Sequence, residues 1–181
     1  VYCSITGFGQ TGPYAQRAGY DFLLQGMGGL MSVTGEPDGR PGGGPQKAGV
    51  ALVDILTGLY AAIAVQAALL ERERSGLGQY IDLALLDVSV ACLANQAMNY
   101  LVGGEVPRRL GNAHPNIVPY QVFAAADGHL ILAVGNDTQF RRFCEVAGWS
   151  TLADDPRYAT NRGRVANREE LCAYIDVLIK T

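Results

Sequence analysis

The sequence predicts an α/β fold, and three observations carry that reading. Two short runs with strand character, residues 1–6 and 79–84, alternate with two long apolar helical patterns at 55–74 and 86–101. That order of strand, helix, strand, helix marks an α/β domain. Beyond residue 104 the pattern changes to a hairpin followed by helices, which reads as a smaller α+β unit.

The elements follow in order. Val1–Thr6 is a buried-strand pattern that runs into Gly7-Phe8-Gly9-Gln10-Thr11-Gly12-Pro13. Residues 20–34 have helical apolar spacing interrupted by Gly26, Gly28 and Gly29, where small residues let another backbone or a ligand come close. Residues 35–49 form a polar Gly/Pro-rich loop of a length that is functional or disordered in most proteins. A helix is expected from Ile55 to Arg74, with Asp54 as its N-cap and Gly76 closing it. The next strand, 79–84, leads to a helix at 86–101 ended by Gly103-Gly104. Residues 104–117, with Pro107, Arg108, Arg109, Gly111 and Pro115, read as a linker, and the arginine pair reads as solvated. Asp127-Gly128 between two apolar runs signals a hairpin. Helices are expected at 138–147 and 168–179, the second capped reciprocally by Asn167 and Glu170.

Composition narrows the function classes. The chain of 181 residues is 49% apolar and 17% charged, against about 25% charged in an average globular protein. That is too apolar for a disordered tail and poor in charge for a small monomer. Net charge is −3 and no Lys/Arg block occurs, which argues against binding nucleic acid. Cys3, Cys92, Cys144 and Cys172 lie far apart without a CxxC pair, which disfavours a zinc site or disulfide scaffold and suits a reducing, cytoplasmic setting. Residues 50–70 are long and apolar enough to span a bilayer. Asp54, Gln66 and the abundance of alanine favour a buried helix of a soluble protein with no membrane role. The chain opens directly in a strand and stops inside a helical pattern, so it is expected to be an internal segment of a longer protein.

Candidate chemistry is sparse. The glycine turn matches GxGxxG, but no helix opens directly after it and no acidic residue closes a second strand about 20 residues on, so a tight turn is the better reading. No HExxH or other ligand spacing supports a metal, and no GxxxxGK supports a nucleoside triphosphate. His129 beside the hairpin turn reads as surface, while His114 in Gly111–Asn116 stands in a loop that could line a pocket. By default Tyr20 and Tyr60 read as packing residues. Asp54 is the most informative position. With apolar neighbours on both sides it reads either as a helix cap or as a buried carboxylate kept ionised by the helix N-terminus and usable as a nucleophile. The residues by themselves leave both open.

Taken together, several segments resemble the class III CoA-transferases, the family of formyl-CoA transferase, carnitine CoA-transferases and α-methylacyl-CoA racemase. They are Arg17-Ala18-Gly19-Tyr20-Asp21, residues 25–35, residues 53–60 and residues 73–79, and the similarity runs in register over nearly the whole chain. Residues 111–120 and 133–140 look closest to the branch acting on dicarboxylic acids such as succinate.

The resemblance implies a partial Rossmann-like large domain over 1–103, a linker over 104–117 and the start of a small α+β domain over 118–181. It implies that Asp54 is the catalytic aspartate. Its carboxylate would attack an acyl-CoA thioester, pass through a mixed anhydride and an aspartyl-CoA thioester, and hand CoA to a free acid. Arg17, Ala18, Tyr20, Leu85, Gly9, Gln10, Asn112 and His114 are the expected substrate and CoA contacts, with Ala18 lacking the lysine charge of the formyl branch. CoA and acyl-CoA are expected as substrates, with no metal and no resident cofactor, in an interlocked homodimer. The segment itself is expected to bind CoA poorly and turn over nothing. A racemase is the nearest alternative, but that branch carries a histidine where this chain has Tyr20, and a glutamate near Asp137; a phenol is a poor proton shuttle at neutral pH beside an imidazole. A non-catalytic assembly module is the third reading.

Overall fold

The computed structural model describes residues 1–180 and is a mixed α/β chain of two compact units, Val1–Gly111 and Asn112–Thr181. The first contains β1 (Tyr2–Thr6), α1 (Asp21–Met27), α2 (Leu30–Val33), α3 (Leu52–Ser75), β2 (Tyr80–Ala84), α4 (Leu85–Ala91) and α5 (Ala94–Gly103). β1 and β2 pair in parallel from Tyr2 opposite Tyr80 to Thr6 opposite Ala84. A parallel pair demands a crossover, and α1–α3 supply it.

The glycine turn after β1 has a structural explanation. A Cβ on Gly7 would lie 2.6 Å from the Gly19 Cα, so two backbones meet where neither can carry a side chain. Gly9 sits at φ +82°, in the left-handed region that glycine tolerates best. The turn is tied back by Gly9 N donating to Thr6 Oγ1 (2.9 Å) and Gln10 N donating to Asp82 Oδ2 (2.9 Å).

Several expectations are corrected in this unit. The long helix starts at Leu52 rather than Ile55, with Ala51 at its N-cap, so Asp54 lies inside the first turn. The helix is not buried all round: Val53, Thr57, Ala61 and Ala68 form one covered stripe, while Ile55, Leu59, Ile63 and Leu70 are exposed. Among the described residues it is the one helix long and apolar enough to cross a membrane. The helix expected at 86–101 is broken at Cys92-Leu93, where Ala94 takes φ +46° without any glycine or proline to announce it. Finally, of the two readings of the 35–49 loop, functional or disordered, the second does not hold, because the loop is pinned. Glu36 bridges Gly43, Arg109 Nε donates to Glu36 O at 3.3 Å, and the Arg109 guanidinium pairs with Asp38. Of the arginine pair, only Arg108 is simply exposed.

α1 packs on α4 at a point where space is decisive. Gly28 is buried at φ −76°, a conformation any residue adopts, yet its Cβ would land on Ser89 Oγ, with Ser89 Cβ at 2.7 Å and Leu24 O at 2.9 Å. Ser89 Oγ itself donates to Leu24 O (3.1 Å). Gly28→Ala should therefore cost about 1–3 kcal/mol by overpacking. Adding Ser89→Gly should recover part of that loss in the full-length protein. Equal urea midpoints for Gly28→Ala with and without Ser89→Gly would remove this explanation.

The second unit contains β3 (Tyr120–Ala125), β4 (Gly128–Ala133), α6 (Asp137–Ala147), α7 (Ser150–Ala153), α8 (Asn161–Ala166) and α9 (Arg168–Ile179). β3 and β4 form the expected antiparallel hairpin, with Ala125 opposite Gly128. Their inner face, with α6 and α9, encloses a core that includes Phe123, Phe140, Cys144, Leu171 and Ile175. The reciprocal cap at Asn167 and Glu170 does not form. Asn167 Nδ2 donates to Gly163 O (2.9 Å), and Glu170 pairs with Arg157 at 2.7 Å. Thr181, the last residue assigned to the small domain, lies outside the described residues.

Candidate active site

The start of α3 is where the first unit gathers its chemistry. A helix leaves its first N–H groups without intrahelical partners, and Ala51 has no side-chain oxygen to offer them. The acceptor comes from α1. Asp21 Oδ1 accepts from Val53 N at 2.7 Å and from Asp54 N at 3.3 Å. Asp21 Oδ2 accepts from Gln25 Nε2 at 2.6 Å. Gln25 is fully buried; its Oε1 accepts from Ala48 N (2.8 Å) and its Nε2 also lies 3.5 Å from Val50 O.

Because Asp21 does the capping, the Asp54 side chain is left over. It is exposed and makes no hydrogen bond or ion pair with any described residue. This corrects both readings drawn from the residues: Asp54 is neither the cap nor a buried carboxylate. Val50, Ile55 and Leu59, each more than half exposed, flank it with apolar surface.

The other expected contacts divide between the two units. Tyr20 directly precedes Asp21 as the N-cap of α1, so the Asp21 bond brings it to the Asp54 turn. It is 78% exposed, not packed as expected by default, and Tyr60 is likewise exposed. Leu85 packs with Leu24 and Val53 in the core immediately beneath that turn. Arg17 is exposed and lies over the Tyr14 ring, 4.2 Å to its centre; Ala18 is exposed beside it. Gly9 is buried in the turn after β1, and Gln10 spends its amide on Ser4 Oγ at 2.7 Å.

In the second unit, Asn112 Oδ1 accepts from Val122 N (2.8 Å), which pins the hairpin. His114 accepts at Nδ1 from Asn116 N (3.1 Å) and rests against Tyr120, with ring centres 5.2 Å apart. His129 is exposed as expected. Asp137 is committed: its Oδ1 accepts from Arg164 Nη2 (2.9 Å) and from Asn161 N (2.7 Å).

Three of the four cysteines are poor nucleophiles where they stand. Burial pushes the Cys144 thiol up to about 11 and raises Cys92 and Cys172, so all three stay protonated at neutral pH, and a thiol is a far weaker nucleophile than a thiolate. The four cysteines are unpaired, and no group of three or more His, Cys, Asp or Glu among the described residues is placed to hold a metal ion.

Two structural features carry little or no signal in the sequence. Asp21 entered the sequence reading only as part of a motif, although an alanine at the helix entrance and an aspartate opening the preceding helix were both visible. Arg164 gave no signal at all.

The chain is 64% identical over 171 residues to the succinate–glutarate CoA-transferase of Agrobacterium fabrum, covering 94% of the chain and 42% of that relative. It is 49% identical over 171 residues to the succinyl-CoA:glutarate CoA-transferase of Mus musculus, covering 94% and 38%. The crystal structure of a CAIB/BAIF family protein from Brucella suis superposes with a TM-score of 0.77 at 57% identity, over 100% of this chain and 47% of that one. The chain thus spans less than half the length of these relatives. The family model for CoA-transferase family III matches residues 1–181, and the chain belongs to that family.

Proposed function

We propose that the full-length protein moves CoA from an acyl-CoA donor to a free dicarboxylic acid, with Asp54 as the nucleophile. The observation that carries this reading is the uncommitted Asp54 carboxylate in the first turn of α3, its backbone already held by Asp21. Similarity to enzymes named for succinate and glutarate points to succinyl-CoA as donor and a glutarate-like acid as acceptor.

The chemistry balances without a redox or metal step. An Asp54 oxygen adds to the thioester carbonyl, the C–S bond breaks, and CoA leaves as thiolate from a mixed anhydride. The thiolate then attacks the Asp54 carbonyl carbon and expels the donor acid, leaving an aspartyl-CoA thioester. The acceptor carboxylate attacks this thioester, the C–S bond breaks to release CoA thiolate again, and an anhydride re-forms. A final attack by thiolate on the acceptor carbonyl yields the new acyl-CoA and restores Asp54. Backbone N–H groups beside the reacting carbonyl would stabilise each oxyanion.

An anhydride requires a dry site, and Asp54 is exposed within these residues. The apolar surface at Val50, Ile55 and Leu59 fits coverage by further parts of the protein and by a second copy in a homodimer. Two features count against racemisation. Tyr20 supplies a phenol in place of an imidazole, and Asp137 is held by Arg164 and Asn161.

Incubating the full-length protein with succinyl-CoA and hydroxylamine should convert Asp54 to a hydroxamate, read by peptide mass spectrometry. A protein that transfers CoA yet never carries that modification would sink the assignment.

A further inference from the structure

We infer that Asp21 and Gln25 are positioning residues for Asp54, acting as one hydrogen-bonded unit whose polarity sets the backbone of the nucleophile's turn. This rests on the reading of Asp54 as nucleophile. Asp21 accepts from Val53 N and Asp54 N through one oxygen and from Gln25 through the other. Gln25, fully buried, accepts from Ala48 N and directs its amino group toward Asp21 and Val50 O. Two side chains on α1 thus fix both the first turn of α3 and the segment that leads into it. A serine or threonine at position 51 could have capped the helix locally. The remote cap does something a local one cannot: it locks the Asp54 backbone to α1, whose N-cap is Tyr20.

The donor and acceptor directions are forced along this chain of bonds. Three N–H donors converge on Asp21, so both of its carboxyl oxygens must accept. An asparagine at 21 could keep one oxygen on Val53 and Asp54, but its amino group would then meet the Gln25 amino group. Rotating the Gln25 amide would relieve that clash and place a donor against Ala48 N instead. Either arrangement leaves a buried donor facing a donor. Converting Gln25 to glutamate fails in the opposite sense, setting two carboxylates face to face. The double variant Asp21→Asn/Gln25→Glu reverses the one bond between them and satisfies the rest. The asparagine accepts from Val53 and Asp54 and donates to the glutamate, which accepts from Ala48; only the long contact to Val50 O is given up.

The experiment measures CoA transfer, hydroxylamine trapping and thermal unfolding in the full-length protein for wild type, Asp21→Asn, Gln25→Glu and the double variant. Each single variant should lose about 10–100-fold in kcat through misplacement of the nucleophile, with KM for acyl-CoA changed by less than about threefold. The double variant should recover most of the unfolding temperature lost by the single variants and at least about a tenth of wild-type kcat. Should a single variant not fold, the double variant decides. A folded double variant as slow as the singles overturns the inference, because Asp21 would then act through its own charge. Single variants with wild-type kcat also overturn it, as does a loss confined to KM. Absence of any Asp54 hydroxamate in an active wild type would overturn the nucleophile assignment and this inference together, whereas the preceding outcomes, with wild-type Asp54 trapped normally, overturn the positioning role only.

Discussion

Asp54→Asn in the full-length protein is expected to lower kcat by at least about three orders of magnitude, the scale of losing a covalent nucleophile. The substitution keeps the shape of the side chain and removes its charge and nucleophilic oxygen. Little structural is expected to go with it, because the Asp54 side chain has no partner among the described residues and Asp21 holds the backbone. Unfolding temperature and affinity for CoA should therefore stay close to wild type, as for exposed substitutions generally. The same mechanism predicts the fate of oxygen. An acceptor acid labelled with ¹⁸O in its carboxylate leaves one labelled oxygen on Asp54 at the end of each turnover. The next donor acid is released carrying an oxygen from Asp54. Label should pass from acceptor to released donor acid through the enzyme, and mass spectrometry of both acids reads it. Full activity in Asp54→Asn, or donor acid that never gains label over many turnovers, would refute covalent participation.

Arg164→Met should destabilise the second unit by about 3–5 kcal/mol, the cost of breaking a buried charged network from one side. Arg164 is fully buried and joins parts of the chain that are far apart in sequence. Its Nε donates to Val118 O (2.7 Å), its Nη1 to Tyr158 O (2.9 Å) and its Nη2 to Asp137 Oδ1 (2.9 Å). The guanidinium also lies over the Phe140 ring, 4.5 Å to its centre. Methionine fills comparable volume but leaves two buried carbonyls without donors, each costing about 1–3 kcal/mol. Lysine keeps the charge but lacks the planar fork that reaches three acceptors at once, so Arg164→Lys should fall between the two. Trp149 is the single tryptophan and packs on Phe143 at the edge of this core, so its fluorescence during urea unfolding reports on this unit. A shift below about 1 kcal/mol for Arg164→Met would show that the network adds little.

Much of the local structure was legible because it repeats at short range. The Asp127-Gly128 signal placed the hairpin, and the run from Arg168 to Ile179 was placed to the residue. Gly76 was correctly read as the close of α3, since it takes φ +72° and donates to Arg72 O. The two misassigned caps share one cause, a partner remote in sequence. Asn167 and Glu170 have the spacing of a cap, but Glu170 is taken by Arg157, 13 residues earlier. Asp54 looked like the N-cap because the nearest carboxylate is the local choice. The true cap, Asp21, is 32 residues away from Val53. The break at Ala94 carries no glycine or proline, so no breaker marked it.

The amino-acid sequence by itself determined the strands, most of the helices and the closely spaced glycines, and its motifs carried the family resemblance. Periodic burial and backbone freedom are written residue by residue, so a chain can display them before it folds. Tertiary structure alone decided that Asp21 caps α3 and leaves Asp54 uncommitted, and that Arg164 anchors the smaller unit. A polar side chain chooses its partner by distance and direction in space, and no spacing along the chain encodes a bond between residues 21 and 53 or 118 and 164.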